Sequence, residues 1–351
     1  MTMKIIYRKT FLKALAAMAV AVLLFSCTKE EESPAAGQVP QVIVDCDLGS
    51  STDDLFALQM LYRYSDQGLC RLLGVVVGQM GDTNAAIADV MNNYYGYPNL
   101  PIGLERNGAA NPGVYINYCL LARLTNADGT PMFPRTHSSY DGLPDGHVLY
   151  RQLLAAAPDH SVSLVVTGFV SSVAHLLASG ADQYSSLSGV ELVRRKVKCL
   201  YFMGTKLTAD AQQGVGAGYN LWCDLDAAET FFDRWPSDVD VVLSPSQVGY
   251  AIEYDSALVV SDISWTDVHP IKQTYLNVPC NVGQKMWDPL PAIQAVKGDG
   301  LFELSPRGRV VLHRDEGTVD FIADPDGNFR FQYAGSEAWN QQMLSLIRAS
   351  N

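Results

Sequence analysis

The chain reads as an α/β protein built on an open, mostly parallel, Rossmann-like sheet with helices on both faces. Three observations carry this. Short β-branched runs alternate with segments of helical periodicity from residue 41 onward. Hydrophobic residues make up 48% of the chain and charged ones only 18%, enough to fill a large core and to exclude intrinsic disorder. Polar residues fall at the carboxyl ends of the runs, where open α/β sheets bind their ligands.

The first 26 residues stand outside that pattern. Lys4, Arg8, Lys9 and Lys13 precede the twelve apolar residues Ala14 to Phe25, the layout of an export signal. Such a run is far short of the ~20 residues a helix needs to cross a bilayer. Leu23-Leu24-Phe25-Ser26-Cys27 resembles a bacterial lipobox, with Cys27 as the lipidated first residue of the mature protein. Residues 27 to 40 then read as a flexible tether, through Lys29-Glu30-Glu31-Glu32 and a Ser/Pro/Ala/Gly stretch. The expected location is the outer membrane of a Gram-negative bacterium, facing the periplasm or the cell surface, with the membrane touched only through the lipid. Without the signal the chain keeps 21 basic residues against 37 acidic ones, a net charge of −16, and nucleic acid is not an expected partner. Six cysteines follow Cys27 without any Cys-x-x-Cys pair, so neither a zinc site nor a disulfide framework is expected.

From residue 41 to 351 one domain is expected. Val42 to Val44, Leu73 to Val77, Leu164 to Val166, Cys199 to Phe202 and Val239 to Leu243 read as strands. Asp54 to Tyr62, Asn84 to Tyr95, His147 to Ala157, Ser172 to Ala178 and Asp226 to Phe232 carry apolar residues at three-to-four spacing and read as crossover helices. Arg106 to Asp145, rich in Gly, Pro, Asn and Tyr, reads as long loops or a cap. Near the C-terminus, Gly308 to His313, Gly317 to Ile322 and Gly327 to Gln332 read as short antiparallel strands before a helix from Glu337 to Arg348.

Asp45, Asp47, Gln79 and Thr167 sit at strand ends, drawn from three segments. Asp45-Cys46-Asp47-Leu48-Gly49-Ser50-Ser51-Thr52-Asp53-Asp54 places four carboxylates within ten residues, on a strand end, a turn and a helix start. A helix N-terminus accounts for one acid, not four. Carboxylates so crowded repel one another unless a cation holds them, and an all-oxygen set with no His or Cys ligand points to Ca²⁺ or Mg²⁺.

This Asp-x-Asp-x-Gly turn followed by an Asp-Asp pair resembles the opening of the inosine/uridine-preferring nucleoside hydrolase family, in a branch with a longer turn. Further segments match in order over residues 41 to about 335: Gly74 to Gln79, Asn92 to Leu104, Val166-Thr167-Gly168, Met203-Gly204, Gly218-Tyr219-Asn220 with Cys223-Asp224, and Trp287-Asp288-Pro289-Leu290. The resemblance implies that Asp47, Asp54, the Thr167 carbonyl and Asp288 hold a Ca²⁺ that also takes a water and the sugar hydroxyls. It implies that Asp47 is the general base toward that water and that Asp53 and Asn220 bind ribose, while Asp45 supports the turn. Gln79, Tyr219 and Trp287 fall at positions that line the substrate. The implied reaction is hydrolysis of the N-glycosidic bond of ribonucleosides or related ribosides, serving purine or pyrimidine salvage, in a chain that assembles as a homo-oligomer. The cleavage passes through a cationic ribosyl transition state, which explains why carboxylates and a metal-oriented water serve it.

Three positions depart from the family pattern: Gln79 replaces an Asn, Gly218 a Glu, and Trp287 the His that helps protonate a purine leaving group. His137 and His147, in or beside the loop-rich segment, are the candidates for that proton. Two other classes compete. A haloacid-dehalogenase-type phosphatase would use Asp45 as nucleophile and Asp47 as acid, but the late strand ends in Leu243-Ser244-Pro245 without the required acid. A lipid-anchored sugar-binding protein with a degenerate site would explain Gly218 but has no need of Asp47 as base.

Overall fold

The computed structural model describes residues 39–351 apart from 111–117, 209–217, 278–282 and 316. The export signal, Cys27 and most of the tether lie outside the described residues. In chain order the elements are β1 (Gln41–Cys46), α1 (Asp53–Asp66), β2 (Arg71–Val77), α2 (Asp82–Tyr94), β3 (Ile102–Leu104), α3 (Gly146–Ala156), β4 (Val162–Val166), α4 (Ser171–Ala178), α5 (Gly189–Lys196) and β5 (Val197–Met203). There follow α6 (Tyr219–Trp222), α7 (Leu225–Arg234), β6 (Asp240–Ser244), α8 (Ser246–Tyr250), β7 (Glu253–Asp255), α9 (Ser256–Asp262), α10 (Pro270–Asn277), β8 (Gly283–Lys285) and α11 (Pro289–Lys297). The chain closes with β9 (Gly308–His313), β10 (Thr318–Ala323), β11 (Phe329–Phe331) and α12 (Glu337–Arg348).

The main sheet runs β10-β9-β11-β6-β5-β4-β1-β2-β3, and β6 through β3 are parallel. Side-chain alternation on β1 divides the core. Val42, Val44 and Cys46 pack under α1, α2, α11 and α12, whereas Ile43 joins Val76, Leu164 and Val166 under α3, α4, α5 and α7. Asp45 therefore faces the second layer, in a position the alternation assigns to an apolar side chain. It is fully buried there.

The tail differs from a purely antiparallel pattern. β9 and β10 form the expected hairpin, but β11 pairs parallel with β6 as well as antiparallel with β9, so the tail extends the main sheet. Strand β3 is too short to show a period, and β7 and β8 form a separate two-stranded ribbon in whose Glu253-Tyr254-Asp255 only the tyrosine favours a strand. The capping box on Ser188 and Glu191 that starts α5 was legible in principle, since Ser-x-x-Glu precedes the helix. Cys46, Cys70 and Cys199 are buried free thiols and Cys223 is a half-buried one, while Cys280 lies outside the described residues. No described helix is long and apolar enough to cross a membrane.

Candidate active site

The turn after β1 is fixed from both sides. Gln79, just beyond β2, donates its amide to the carbonyls of Asp47 and Leu48, each at 2.7 Å, and Asn84 of α2 also donates to Leu48. Gly49 takes φ +107°, a conformation few other residues adopt. Gln79 thus acts in the structure as a brace of the acidic turn. Asn84 performs the same task from 36 residues away, and nothing local in the sequence marks it.

Asp47, Asp53, Asp54 and Asp288 come together, all buried. Asp47 sits past the end of β1, where Ser50 Oγ donates to its Oδ2 at 2.9 Å. Gly168 leaves room for it: a Cβ there would stand 2.5 Å from Asp47 N and 2.8 Å from its Cβ. Thr52 makes no side-chain cap on α1; its hydroxyl turns instead to Tyr275 and Gln284. Asp53 accepts from the backbone N–H of Trp287 at 3.1 Å and of Asp288 at 3.3 Å, which ties α1 to the start of α11, and it also accepts from Ser51. Asp54 Oδ1 accepts from Thr167 Oγ1 at 3.1 Å. Its Oδ2 has no donor around it unless Asp288 carries a proton, in which case the two carboxyls share it.

The second layer is Asp45. Tyr150 of α3 donates its hydroxyl to Asp45 Oδ2 at 2.9 Å, and Oδ1 is left without a partner. Removing that donor leaves a buried carboxyl with one partner fewer, so Tyr150→Phe is expected to lower stability by about 1–3 kcal/mol in urea denaturation. An unchanged unfolding midpoint would show that Asp45 does not depend on Tyr150.

Electrostatics follow from this crowding. Burial drives all these carboxyls upward; neighbouring charge adds to it for Asp45, Asp54 and Asp288, whereas hydrogen bonds from Ser51 and the backbone pull Asp53 the other way. Asp47, with Ser50 pulling the other way and Asp53 adding to the rise, is pushed up to about 7. The donor chemistry fits a hard dication: oxygen ligands only, one buried carboxylate oxygen unpartnered, and like charges that a cation would relieve. As they stand, no three His, Cys, Asp or Glu side chains among the described residues are disposed to hold a metal ion, so the carboxylates do not form a ready-made shell. The Thr167 carbonyl, expected as a ligand, accepts Asn220 Nδ2 at 2.6 Å, which leaves its second lone pair. Asn220 also reaches the Met203 carbonyl at 3.2 Å, so it ties the ends of β4 and β5 together.

Tyr219 lies 6.0 Å from Phe169 and 6.5 Å from Trp222 between ring centres. Trp287 packs 6.4 Å from Tyr250, and its indole N–H donates to the Ser246 carbonyl at 2.8 Å. Gly218 has an ordinary φ of −72°, so backbone freedom is not its reason. The turn at Gly317 lies against it, and any side chain there would strike the Gly317 carbonyl. A Glu at this position is therefore incompatible with how the β9–β10 hairpin docks.

His137 hangs its backbone N–H on Asp89 at 2.8 Å, and His147 packs 5.9 Å from His175, which bonds Glu105 at 3.2 Å. Neither hydrogen-bonds an acid of the turn. An open cleft of about 540 Å³ lined by Gln41, Arg71, Tyr97 and Leu153 is at the amino ends of β1 and β2, the wrong end of the sheet for this chemistry.

An open parallel sheet with buried carboxylates gathered at the end of its first strand places acidic chemistry where open α/β sheets bind their ligands. The match of residues 42–320 to the family model described as inosine-uridine preferring nucleoside hydrolase makes this specific. The chain belongs to that family and is an N-ribosyl hydrolase. Comparison with curated proteins found no match. Among solved structures, the inosine-uridine preferring nucleoside hydrolase of Bacillus anthracis is similar at 15% identity and a TM-score of 0.64, covering 88% of this chain and 99% of that one. A purine-preferring ribonucleoside hydrolase from Gardnerella vaginalis gives 14% identity and a TM-score of 0.61, covering 88% and 98%. The type III effector protein XopQ, complexed with adenosine diphosphate ribose, gives 16% identity and a TM-score of 0.64, covering 90% and 95%.

Proposed function

We propose that this chain hydrolyses the N-glycosidic bond of ribosides in a Ca²⁺-dependent reaction, with Asp47 as general base. The observation that carries the reading is the convergence of Asp47, Asp54 and Asp288 from the β1 turn, the start of α1 and the residue before α11, with Asp54 Oδ2 left without a donor. Asp47, Asp54, Asp288 and the Thr167 carbonyl would hold the ion, which when bound supplies positive charge that orients a water and the sugar hydroxyls. Asp47, braced through Ser50, accepts the proton of the attacking water. Asp53 and Asn220 fix the ribose hydroxyls, and the surrounding carboxylates offset the positive charge that builds on the ring. Asp45, turned to Tyr150, supports the turn from behind. We further propose that Cys27 is lipidated and tethers the domain to the outer membrane.

Calorimetric titration of Ca²⁺ into the wild type and Asp288→Ala tests the metal site. Loss of Asp288 is expected to weaken binding at least 100-fold, and unchanged affinity would remove Asp288 from the site. Chelator-sensitive release of base from a nucleoside panel tests the reaction. Tight Ca²⁺ binding without turnover of any riboside would instead favour a sugar-binding protein.

A further inference from the structure

Glu105 is a buried carboxylate that the proposed chemistry does not use. It stands directly after β3, 2% exposed, with its own N–H donated to the Val77 carbonyl at 2.9 Å. Its Oε1 accepts the backbone N–H of Asn107 at 2.8 Å, and its Oε2 accepts Ser172 Oγ at 2.9 Å and meets His175 Nδ1 at 3.2 Å, both on α4. These bonds wrap residues 105 to 109 around the carboxylate and hold them against α4. The wrap is close: a Cβ on Gly108 would stand 2.4 Å from Ser171 Cβ and 2.9 Å from Glu105 Cγ.

The wrapped segment reaches the acidic turn through direct bonds. The Ala109 carbonyl accepts the N–H of Met80 at 3.0 Å, and Met80 follows Gln79, whose amide holds the carbonyls of Asp47 and Leu48. His175, half-exposed, is the titratable end of this path. The ionisable groups that bear on it are Glu105 after β3, Asp145 and His147 at the start of α3 and Asp224 ahead of α7; Arg106 pairs with Asp145, and Arg151 bears on His147. The bond to Glu105 raises His175 above its usual 6.5 against the pull of burial, and the charges of Glu105, Asp224 and Asp145 add to the rise. Burial and then the charge of His175 push His147 down, so His175 is the member of the pair that carries the proton. Burial would raise Glu105, but its bonds from His175, Asn107 and Ser172 outweigh that and hold the carboxyl below its usual value.

We propose that Glu105 is a positioning residue for the Asp47 turn, and that the proton on His175 sets how firmly it holds. The inference rests on the riboside-hydrolase reading for its effect on turnover and not for its effect on the segment itself. With the proton, imidazolium and carboxylate share a charge-assisted bond; without it, Nδ1 donates a neutral one, roughly half as strong. A histidine whose folded-state value is raised contributes fully below its unfolded value, and the contribution is lost as pH rises through the folded one. The clamp is therefore firm below the usual 6.5 and slackens as pH rises past the folded-state value of His175. Gln79 then holds the turn with less support through Met80, and Asp47 is placed less closely for the water it serves.

The test compares wild type, Glu105→Gln and His175→Gln by amide hydrogen exchange at Met80 and by kcat/KM on p-nitrophenyl riboside at saturating Ca²⁺. At pH 6 the Met80 N–H is expected to exchange about tenfold faster in Glu105→Gln than in wild type, while Val76 within β2, which reports global opening, holds its rate. If Val76 accelerates as well, His175→Gln, a change at a half-exposed site, decides the clamp by the same comparison. Unchanged exchange at Met80 overturns the proposal whether or not any riboside is turned over. The ratio of wild-type to His175→Gln kcat/KM is expected to be about three- to tenfold at pH 6 and to approach one by pH 8.5, since the titration of Asp47 is common to both and cancels. The ratio of their Met80 exchange rates is expected to converge in the same way. Ratios that do not change with pH overturn the role of the His175 proton. No turnover by wild type removes the hydrolase reading, and exchange at Met80 then decides the clamp on its own.

Discussion

Asp47→Asn is expected to lower kcat on p-nitrophenyl riboside by about 10²- to 10⁴-fold, the range a positioned general base contributes. The substitution keeps the size of the side chain, and an amide oxygen still accepts from Ser50, so the turn braced by Gln79 and Asn84 remains in place. What is lost is the capacity to take a proton. The leaving group of p-nitrophenyl riboside needs no acid, so the loss reports on water activation alone. Because Asp47 is also a proposed metal ligand, Ca²⁺ affinity is measured alongside at saturating ion. Near-wild-type kcat in a variant that still binds Ca²⁺ would remove Asp47 as base.

How far the site was readable follows from where its parts lie in the chain. Asp45, Asp47, Asp53 and Asp54 share one turn, and four acids in ten residues stand out without any partner being known. Asp288 and Asn220 carry no local signal and were found through the ordered motifs of the family, Trp287-Asp288-Pro289 and Gly218-Tyr219-Asn220. Tyr150 and Asn84 were missed because each looks like an ordinary helix residue, and only tertiary contact brings the tyrosine to Asp45 across 105 residues. The strands of the parallel sheet were legible from their β-branched runs because they are buried on both faces. β3, β7 and β8, three residues each, are held by their neighbours and not by propensity. Gln79 shows the limit of carrying over a position: the residue type departs from the family pattern, and the structure has it hold backbone carbonyls in the turn.

The acid cluster also sets an expected dependence of stability on pH. A carboxyl whose folded-state value is raised contributes stability that is full below its unfolded value and is lost as pH rises through the folded one. Asp47 moves from 3.8 to about 7, so its share disappears between roughly pH 4 and 7, a loss of about 4 kcal/mol once ionised. Asp45, Asp54 and Asp288 shift in the same direction for the same reasons, burial first and neighbouring charge after it. In chelator, the unfolding temperature is therefore expected to fall as pH is raised from 5 to 8. A dication reverses the sign for the residues it touches: it binds only the deprotonated carboxylates, so its affinity climbs with pH, and at 100 times its Kd it returns about 2.7 kcal/mol. Thermal unfolding measured from pH 5 to 8 in EDTA and in CaCl₂ should give curves that diverge toward high pH. Asp45 separates the two effects, since it faces Tyr150 and not the ion. Asp45→Asn removes a buried ionisable group while keeping an acceptor for the tyrosine, and is expected to raise stability in EDTA at pH 8 with Ca²⁺ affinity intact. Parallel curves in EDTA and CaCl₂ would mean that the carboxylates are not held by a cation, and a loss of Ca²⁺ binding in Asp45→Asn would move Asp45 into the metal site.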